Sequence, residues 1–426
     1  MLAVKIAKRS YKRTHLHQDK PANRNTGLMP SISKRGTIMP ASPIRRLVPF
    51  AEKAKNNGIK VFHLNIGQPD IKTPAVAIEA MHKLDLSVIG YGHSAGLESY
   101  RSRLVTYYKG RGINININQL MVTTGGSEAI SLAFLSCLDP DDEVIVPEPF
   151  YANYYGFASS TGVQVVPLPS DIENGFALPS FSEIEKLITD RTRAIFICNP
   201  NNPTGYLYSR EELEQLKDIV VRRNLYLISD EVYSEFCYDG AQHISIMELE
   251  GIEDHAIMVD SVSKRYSECG LRVGMLLTRN PKIIETVLKF AQARLCPPAL
   301  GQIAAEASLD TPGEYFKEVN IEYNKRRDFL VKRLNQIPGV FTPMPRGAFY
   351  TVAKLPVDDA DKFCQWILND FSYNKQTVMM APASGFYITP GKGKQEVRIA
   401  YVLNIEDLTI AIEILEKALQ AYPGRV

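Results

Sequence analysis

The chain has 426 residues, 49 Lys+Arg against 47 Asp+Glu, and 45% hydrophobic residues, the proportions of a folded protein and not of a disordered one. Its length suits two domains, or one large α/β domain with a smaller companion. No apolar run is long enough for a membrane-spanning helix, and a net charge of +2 argues against general nucleic-acid binding through phosphate neutralisation.

Residues 1–28 differ from the rest. They hold seven basic residues (Lys5, Lys8, Arg9, Lys12, Arg13, Lys20 and Arg24) against one acid, Asp19. They lack hydrophobic periodicity and an apolar core segment, which excludes a secretory signal. The segment reads as a basic, disordered extension, or as an upstream start with Met29 as the first native residue. An organelle-targeting peptide is the second reading and a nucleic-acid arm the third. Ser42–Asn57 has helical spacing.

From about residue 60 to 310, short β-rich runs alternate with longer helical stretches. A short apolar run ends at Val122, and Ser127–Leu138 has helical spacing. Glu143–Val146 and Val163–Pro167 read as strands. Glu183–Asp190 reads as a helix leading into the strand Ala194–Cys198, and Arg210–Arg223 as a helix leading into Leu225–Ser229. Ala256–Val259 and Val273–Leu277 close the series. The alternation predicts a mostly parallel sheet covered by helices on both faces. After residue 310, Glu314–Gln336 is a long charged helix, and Gly339–Ala353 reads as short strands. Ala360–Phe371 and Ile405–Ala421 read as helices, with Val397–Tyr401 as a strand between them. The expected division is a large domain over 65–309 and a smaller α/β domain from 29–64 and 310–426.

The six cysteines show no CxxC pair and no histidine at metal spacing, so they read as reduced thiols without a metal, and the chain as cytoplasmic.

In a parallel sheet, ligands gather at the carboxyl ends of strands, so the residues following each strand matter most. Gly125-Gly126-Ser127 opens a helix, where backbone N–H groups and the helix dipole favour a phosphate; a plain turn with an N-cap is the bland alternative. Tyr151 follows the EVIV strand and offers a flat face, or ordinary packing. Asn202, in Asn199-Pro200-Asn201-Asn202-Pro203-Thr204-Gly205, offers an amide donor on a rigid loop. Asp230 ends a buried strand and needs a cationic partner there, and Tyr233 lies three residues on. Lys264 follows the AIMV strand and has the chemistry of an amine nucleophile towards carbonyls; a solvated surface charge is the usual alternative. Ser261 and Arg272 flank it and suit one phosphate. Neither a G-x-G-x-x-G fingerprint nor a P-loop follows these strands.

Together these strand ends fit one ligand: a phosphate, an aldehyde, a ring nitrogen seeking a carboxylate, a phenolic oxygen seeking donors, and a flat ring. That ligand is pyridoxal 5′-phosphate.

From about residue 37 to 422 the order of these motifs resembles the class I/II aminotransferases, the fold-type I pyridoxal-phosphate enzymes. The pattern Ser261-x-Ser263-Lys264 followed by Gly270-x-Arg272-x-Gly274 carries it most specifically. The resemblance implies that Lys264 is the Schiff-base lysine, that Asp230 and Tyr233 meet the ring, and that Asn202 of Asn-Pro-Thr-Gly contacts the ring oxygen. It implies phosphate contacts from Gly126, Ser127, Ser261 and Arg272, and stacking by Tyr151. Tyr91 matches a tyrosine that reaches the phosphate of a neighbouring subunit, which implies a homodimer with shared sites. Gly67, in Gly67-Gln68-Pro69-Asp70, matches a loop over the substrate, and Arg398 matches the arginine that clamps the substrate α-carboxylate. Pro345-Arg346-Gly347-Ala348-Phe349-Tyr350 also fits.

Glu268 and Arg265 depart from the family pattern. Ser127 stands where one bacterial aspartate-specific group carries a lysine, which weakens a dicarboxylate reading. The implied activity is transfer of an amino group from an L-amino acid, aspartate first, to a 2-oxo acid such as 2-oxoglutarate by a ping-pong mechanism. The alternatives are a C–S lyase on the same fold, a non-catalytic regulator and a nicotinamide-dependent oxidoreductase; the last lacks its glycine fingerprint.

Overall fold

The computed structural model describes residues 30–426. The expectations for residues 1–28 and for Met29 lie outside the described residues. Residues 30–38 contain one short exposed helix, Lys34–Ile38.

In residues 39–426 the first strand is β1 (Lys60–His63). Seven strands then build the main sheet: β2 (Leu120–Thr123), β3 (Glu143–Glu148), β4 (Gln164–Pro169), β5 (Thr192–Cys198), β6 (Tyr226–Asp230), β7 (Ala256–Ser261) and β8 (Gly274–Leu277). Their order is β2-β8-β7-β6-β5-β3-β4. Strands β4, β3, β5, β6 and β7 run parallel, whereas β8 is antiparallel to both β7 and β2. A parallel return needs a crossover of a dozen or more residues, usually a helix. The link from Ser261 to Gly274 contains only one four-residue helix and one 3₁₀ turn, so the chain folds straight back. Strands β3, β7 and β8 are buried along their whole length, as strands covered on both faces must be.

Strand β9 (Tyr350–Lys354) pairs antiparallel with β12 (Glu396–Ala400), which also pairs with the two-residue β11 (Ala381–Pro382). Strand β10 (Gln376–Met379) pairs parallel with β1, joining residues more than 300 positions apart in sequence.

The helix Arg210–Arg223 matches its expectation residue for residue. Its start is fixed by a capping box: Glu212 N–H donates to Ser209 Oγ, and Ser209 N–H donates to Glu212 Oε2 at 2.8 Å. Three expectations need correction. The helix expected over Ser42–Asn57 spans only Val48–Asn56, with Pro49 in its first turn, where a missing N–H costs nothing, and a turn from Pro43 to Leu47 before it. The helix expected over Glu183–Asp190 runs from Phe181 to Lys186, starting at a Ser180–Glu183 capping box. Within Gly339–Ala353 only Tyr350–Ala353 is strand, as part of β9; the residues before it are largely loop, joined to β9 by a Phe341–Lys354 bridge. Among the described residues no helix is long and apolar enough to cross a membrane.

Candidate active site

At the carboxyl ends of the parallel strands lies a cavity of about 600 Å³. It gathers Gly67, Gly126, Ser127, Tyr151, Asn202, Asp230, Tyr233, Ser261, Lys264, Arg272 and Arg398. These residues come from seven separate segments. Of the residues that the resemblance gives a role toward cofactor or substrate, Tyr91 alone does not line it; Tyr91 stands 86% exposed on the surface of the chain.

Lys264 sits in the short helix Val262–Arg265 that follows β7. Its Nζ donates to Gly67 O at 2.9 Å and lies 3.7 Å from Cys269 Sγ. Gly67 has no alternative here, since a Cβ on it would overlap the Tyr350 hydroxyl. Asp230 closes β6 and is 5% exposed. Its Oδ2 accepts from the Tyr154 hydroxyl at 2.6 Å, and its Oδ1 accepts from Val232 N–H at 3.3 Å. Burial pushes the Asp230 carboxyl up to about 6, against the opposing pull of the Tyr154 hydrogen bond.

On the opposite wall, Asn202 Nδ2 donates to the Tyr233 hydroxyl at 3.3 Å, which lies 3.1 Å from the Tyr350 hydroxyl. Arg398, on β12, is 2% exposed. Its Nη1 donates to Asn202 Oδ1 at 3.1 Å and its Nη2 to Asn65 O. The guanidinium lies 4.6 Å from the Tyr350 ring centre and 5.0 Å from that of Phe386. Its Nε is buried without a hydrogen-bond partner.

The far end of the cavity is formed by the start of the helix Gly125–Cys137. Gly125 has φ +74°, and a Cβ on it would stand 2.4 Å from Arg272 Nη2. A Cβ on Gly274 would likewise strike the Gly125–Gly126 backbone. The glycines therefore let the helix start, β8 and the Arg272 guanidinium converge. Arg272 Nη1 donates to Cys269 O at 3.0 Å, and its other N–H groups have no partner among the described residues. The Ser261 hydroxyl donates to Val273 O at 2.8 Å and lies 2.9 Å from Ser263 Oγ. Tyr151 lines the cavity and its hydroxyl accepts from Asn153 Nδ2 at 2.8 Å.

Tyr154, Tyr350 and Asn65 complete these networks, yet sequence reasoning gave them no individual role. Tyr154 follows Tyr151 by three positions, one helical turn. That spacing was the available signal. Arg265 and Glu268, the two departures, do not line this cavity. The buried Arg265 pairs with Asp260, and Glu268 accepts from the Ser308 hydroxyl. Burial raises the Glu268 carboxyl to about 7.

The family model "Aminotransferase class I and II" matches residues 59–415. The chain belongs to the class I and II aminotransferases. An aspartate aminotransferase of Pyrococcus horikoshii is 33% identical, covering 91% of this chain and 97% of that protein. Aromatic-amino-acid aminotransferase 2 of Thermococcus litoralis is 31% identical over 92% of this chain and 98% of that protein. Among solved structures, the aspartate aminotransferase of Thermotoga maritima superposes with a TM-score of 0.84 at 31% identity, covering 92% of this chain and all of that one. An alanine aminotransferase of Pyrococcus furiosus gives 0.84 at 34% identity with the same coverage.

This aminotransferase is accordingly a pyridoxal-phosphate-dependent enzyme of fold type I. The residues present fit that cofactor. A helix start with unpaired guanidinium N–H groups suits a phosphate, a buried carboxylate faces the same cavity, and a lysine amine lies on its wall.

Proposed function

We propose that the enzyme moves the amino group of an L-amino acid, aspartate first, to a 2-oxo acid such as 2-oxoglutarate in two successive half-reactions. The observation that carries this reading is the convergence of Lys264, Asp230, Asn202, Arg272 and Arg398 on one cavity. When bound, pyridoxal phosphate supplies an electron sink that stabilises negative charge developing at the substrate α-carbon.

The chain's own residues do the rest. Arg272, Ser261 and the N–H groups of Gly126 and Ser127 hold the phosphate. Asp230, whose negative form Tyr154 supports, holds the ring nitrogen protonated. Tyr151 covers one face of the ring. Asn202 and Tyr233 donate to its phenolic oxygen. Lys264 Nζ would hold the aldehyde of the cofactor, and its amine would take up and return the proton at the substrate α-carbon. Arg398 grips the α-carboxylate, and its stacking on Tyr350 and Phe386 fixes the fork in direction. Gly67 holds the loop that closes over the substrate.

We assign residues 65–309 to a cofactor-binding domain, and residues 29–64 with 310–426 to a smaller one. The parallel pairing of β1 with β10 supports the second grouping. The exposed Tyr91 supports a homodimer in which this hydroxyl reaches the partner's phosphate. Six free thiols support a cytoplasmic location.

The test offers purified holoenzyme a panel of L-amino acids with 2-oxoglutarate and measures glutamate. Glutamate formation that depends on both substrates is expected. Pyruvate released from cystathionine without any 2-oxo acid, and no glutamate from the panel, would replace this reading with a C–S lyase.

A further inference from the structure

The cavity carries more positive charge than the reaction described above consumes. Four cations line it, Arg45, Lys264, Arg272 and Arg398, against one acid, Asp230. The proposed function, on which this inference rests, assigns Arg272 to the phosphate, Arg398 to the α-carboxylate and Lys264 to the aldehyde. Arg45 is left over. Its side chain has no ion-pair or hydrogen-bond partner among the described residues, whereas its neighbour Arg46 is paired with Asp361.

Arg45 is exposed, but the backbone that carries it is held firmly. It sits in a turn in which Arg45 N–H donates to Ser42 O at 3.1 Å. Pro43 packs so closely on Gly385 that a Cβ there would approach it to 2.3 Å. Ile44 packs against the cluster containing Phe386, the ring under the Arg398 guanidinium. Ile44 O accepts from Asn65 Nδ2 at 3.3 Å, and Asn65 O in turn accepts from Arg398 Nη2. The two arginines thus belong to one hydrogen-bonded assembly, one guanidinium buried at the cavity wall and the other free at its mouth. A guanidinium recognises a carboxylate through two parallel N–H bonds. A substrate with two carboxylates matches this arrangement; a neutral amino acid leaves Arg45 unused.

We propose that Arg45 binds the side-chain carboxylate of an acidic amino-acid donor and the distal carboxylate of a 2-oxo diacid. It is the specificity-determining residue of this enzyme, and it supplies the charge that Ser127 does not.

The experiment compares wild-type holoenzyme with Arg45→Gln and Arg45→Lys. The half-reaction with aspartate and with alanine is followed through the absorbance of the bound cofactor, and succinate and butyrate binding is followed by calorimetry. In Arg45→Gln the ratio of kcat/KM for aspartate over alanine should fall roughly 10- to 100-fold, the scale of one hydrogen-bonded charge pair. The dissociation constant of succinate should rise by a similar factor relative to that of butyrate, and Arg45→Lys should retain part of both preferences. A wild-type enzyme without preference for aspartate over alanine overturns the proposal. So does an Arg45→Gln enzyme that keeps the wild-type ratio. If no amino acid supports the half-reaction in the wild type, the aminotransferase reading itself fails. That outcome is distinct from a neutral-substrate aminotransferase, which overturns Arg45 alone.

Discussion

Two polar cavities stand back to back at the ends of β6 and β7, and neighbouring residues are divided between them. Asp230, Ser261 and Lys264 face the larger cavity; Glu231, Asp260 and Arg265 face a second one of about 310 Å³. Successive side chains of a strand point to opposite faces, so one strand end can furnish two different environments. In the larger cavity key donors are left free, including Arg398 Nε and most of the Arg272 guanidinium. In the smaller one the charges mostly answer each other. Arg265 pairs with Asp260 and lies 3.3 Å from Glu235, which also pairs with Arg111. Asp260 accepts from the Tyr108 hydroxyl at 2.8 Å and from Ser261 N–H at 2.7 Å. The difference separates two uses of buried polarity. Open donors await a ligand, whereas closed ion pairs hold in place the ends of β6 and β7 that carry Asp230, Ser261 and Lys264.

Breaking the first cavity should have the largest effect. Lys264→Ala should slow the half-reaction by on the order of 10⁴-fold and remove the visible absorbance of the covalently held cofactor. Retained turnover in a stopped-flow assay would rule out this lysine.

Breaking the second cavity should act on stability first. Asp260→Ala leaves the Arg265 guanidinium buried without its main partner, which should cost about 3–5 kcal/mol in denaturant unfolding. Arg265→Met added to that variant should restore much of the loss. Through Ser261 N–H the same change should also weaken cofactor retention in dialysis. Unchanged retention would show that the two cavities are energetically independent.

The smallest effect concerns Glu231. Burial raises its carboxyl to about 8 from an ordinary 4.5. It lies beside His243, whose imidazole burial depresses to about 3. Asp260 adds to the upward shift, while hydrogen bonds from Ser245, Ile246 and Ser229 oppose it. Between pH 4.5 and 8 the folded state therefore keeps a proton that the unfolded chain releases, and stability falls as the pH rises through that window. Glu231→Gln has no such proton. Its melting temperature relative to wild type should rise by roughly 2–4 °C between pH 5 and pH 8.5. A constant difference across that range would place an ionised carboxylate in the native protein.

Much of this was visible in the sequence wherever the signal was local. Arg210–Arg223 carries its own capping box and amphipathic face. Lys264, Asp230 and Asn202 each follow a strand that its β-rich run predicts. The reversal of β8 was not visible, because an apolar run of four residues does not encode its direction. Arg265 and Glu268 stood out as departures, yet only packing revealed that they serve other walls than the cofactor's.

The order of strands, helices and strand-end side chains follows from local pattern, and that order is enough to place a lysine, an aspartate and an arginine at one sheet edge. Tyr154 reaches Asp230 across 76 positions and Asn202 reaches Arg398 across 196. The pairing of Asp260 with Arg265 and the freedom of Arg45 likewise depend on which side chains packing brings together. Hydrophobic periodicity repeats every two to four residues and is legible along the chain. A hydrogen bond between distant segments exists only once the sheet has assembled, and so it is a property of the tertiary structure alone.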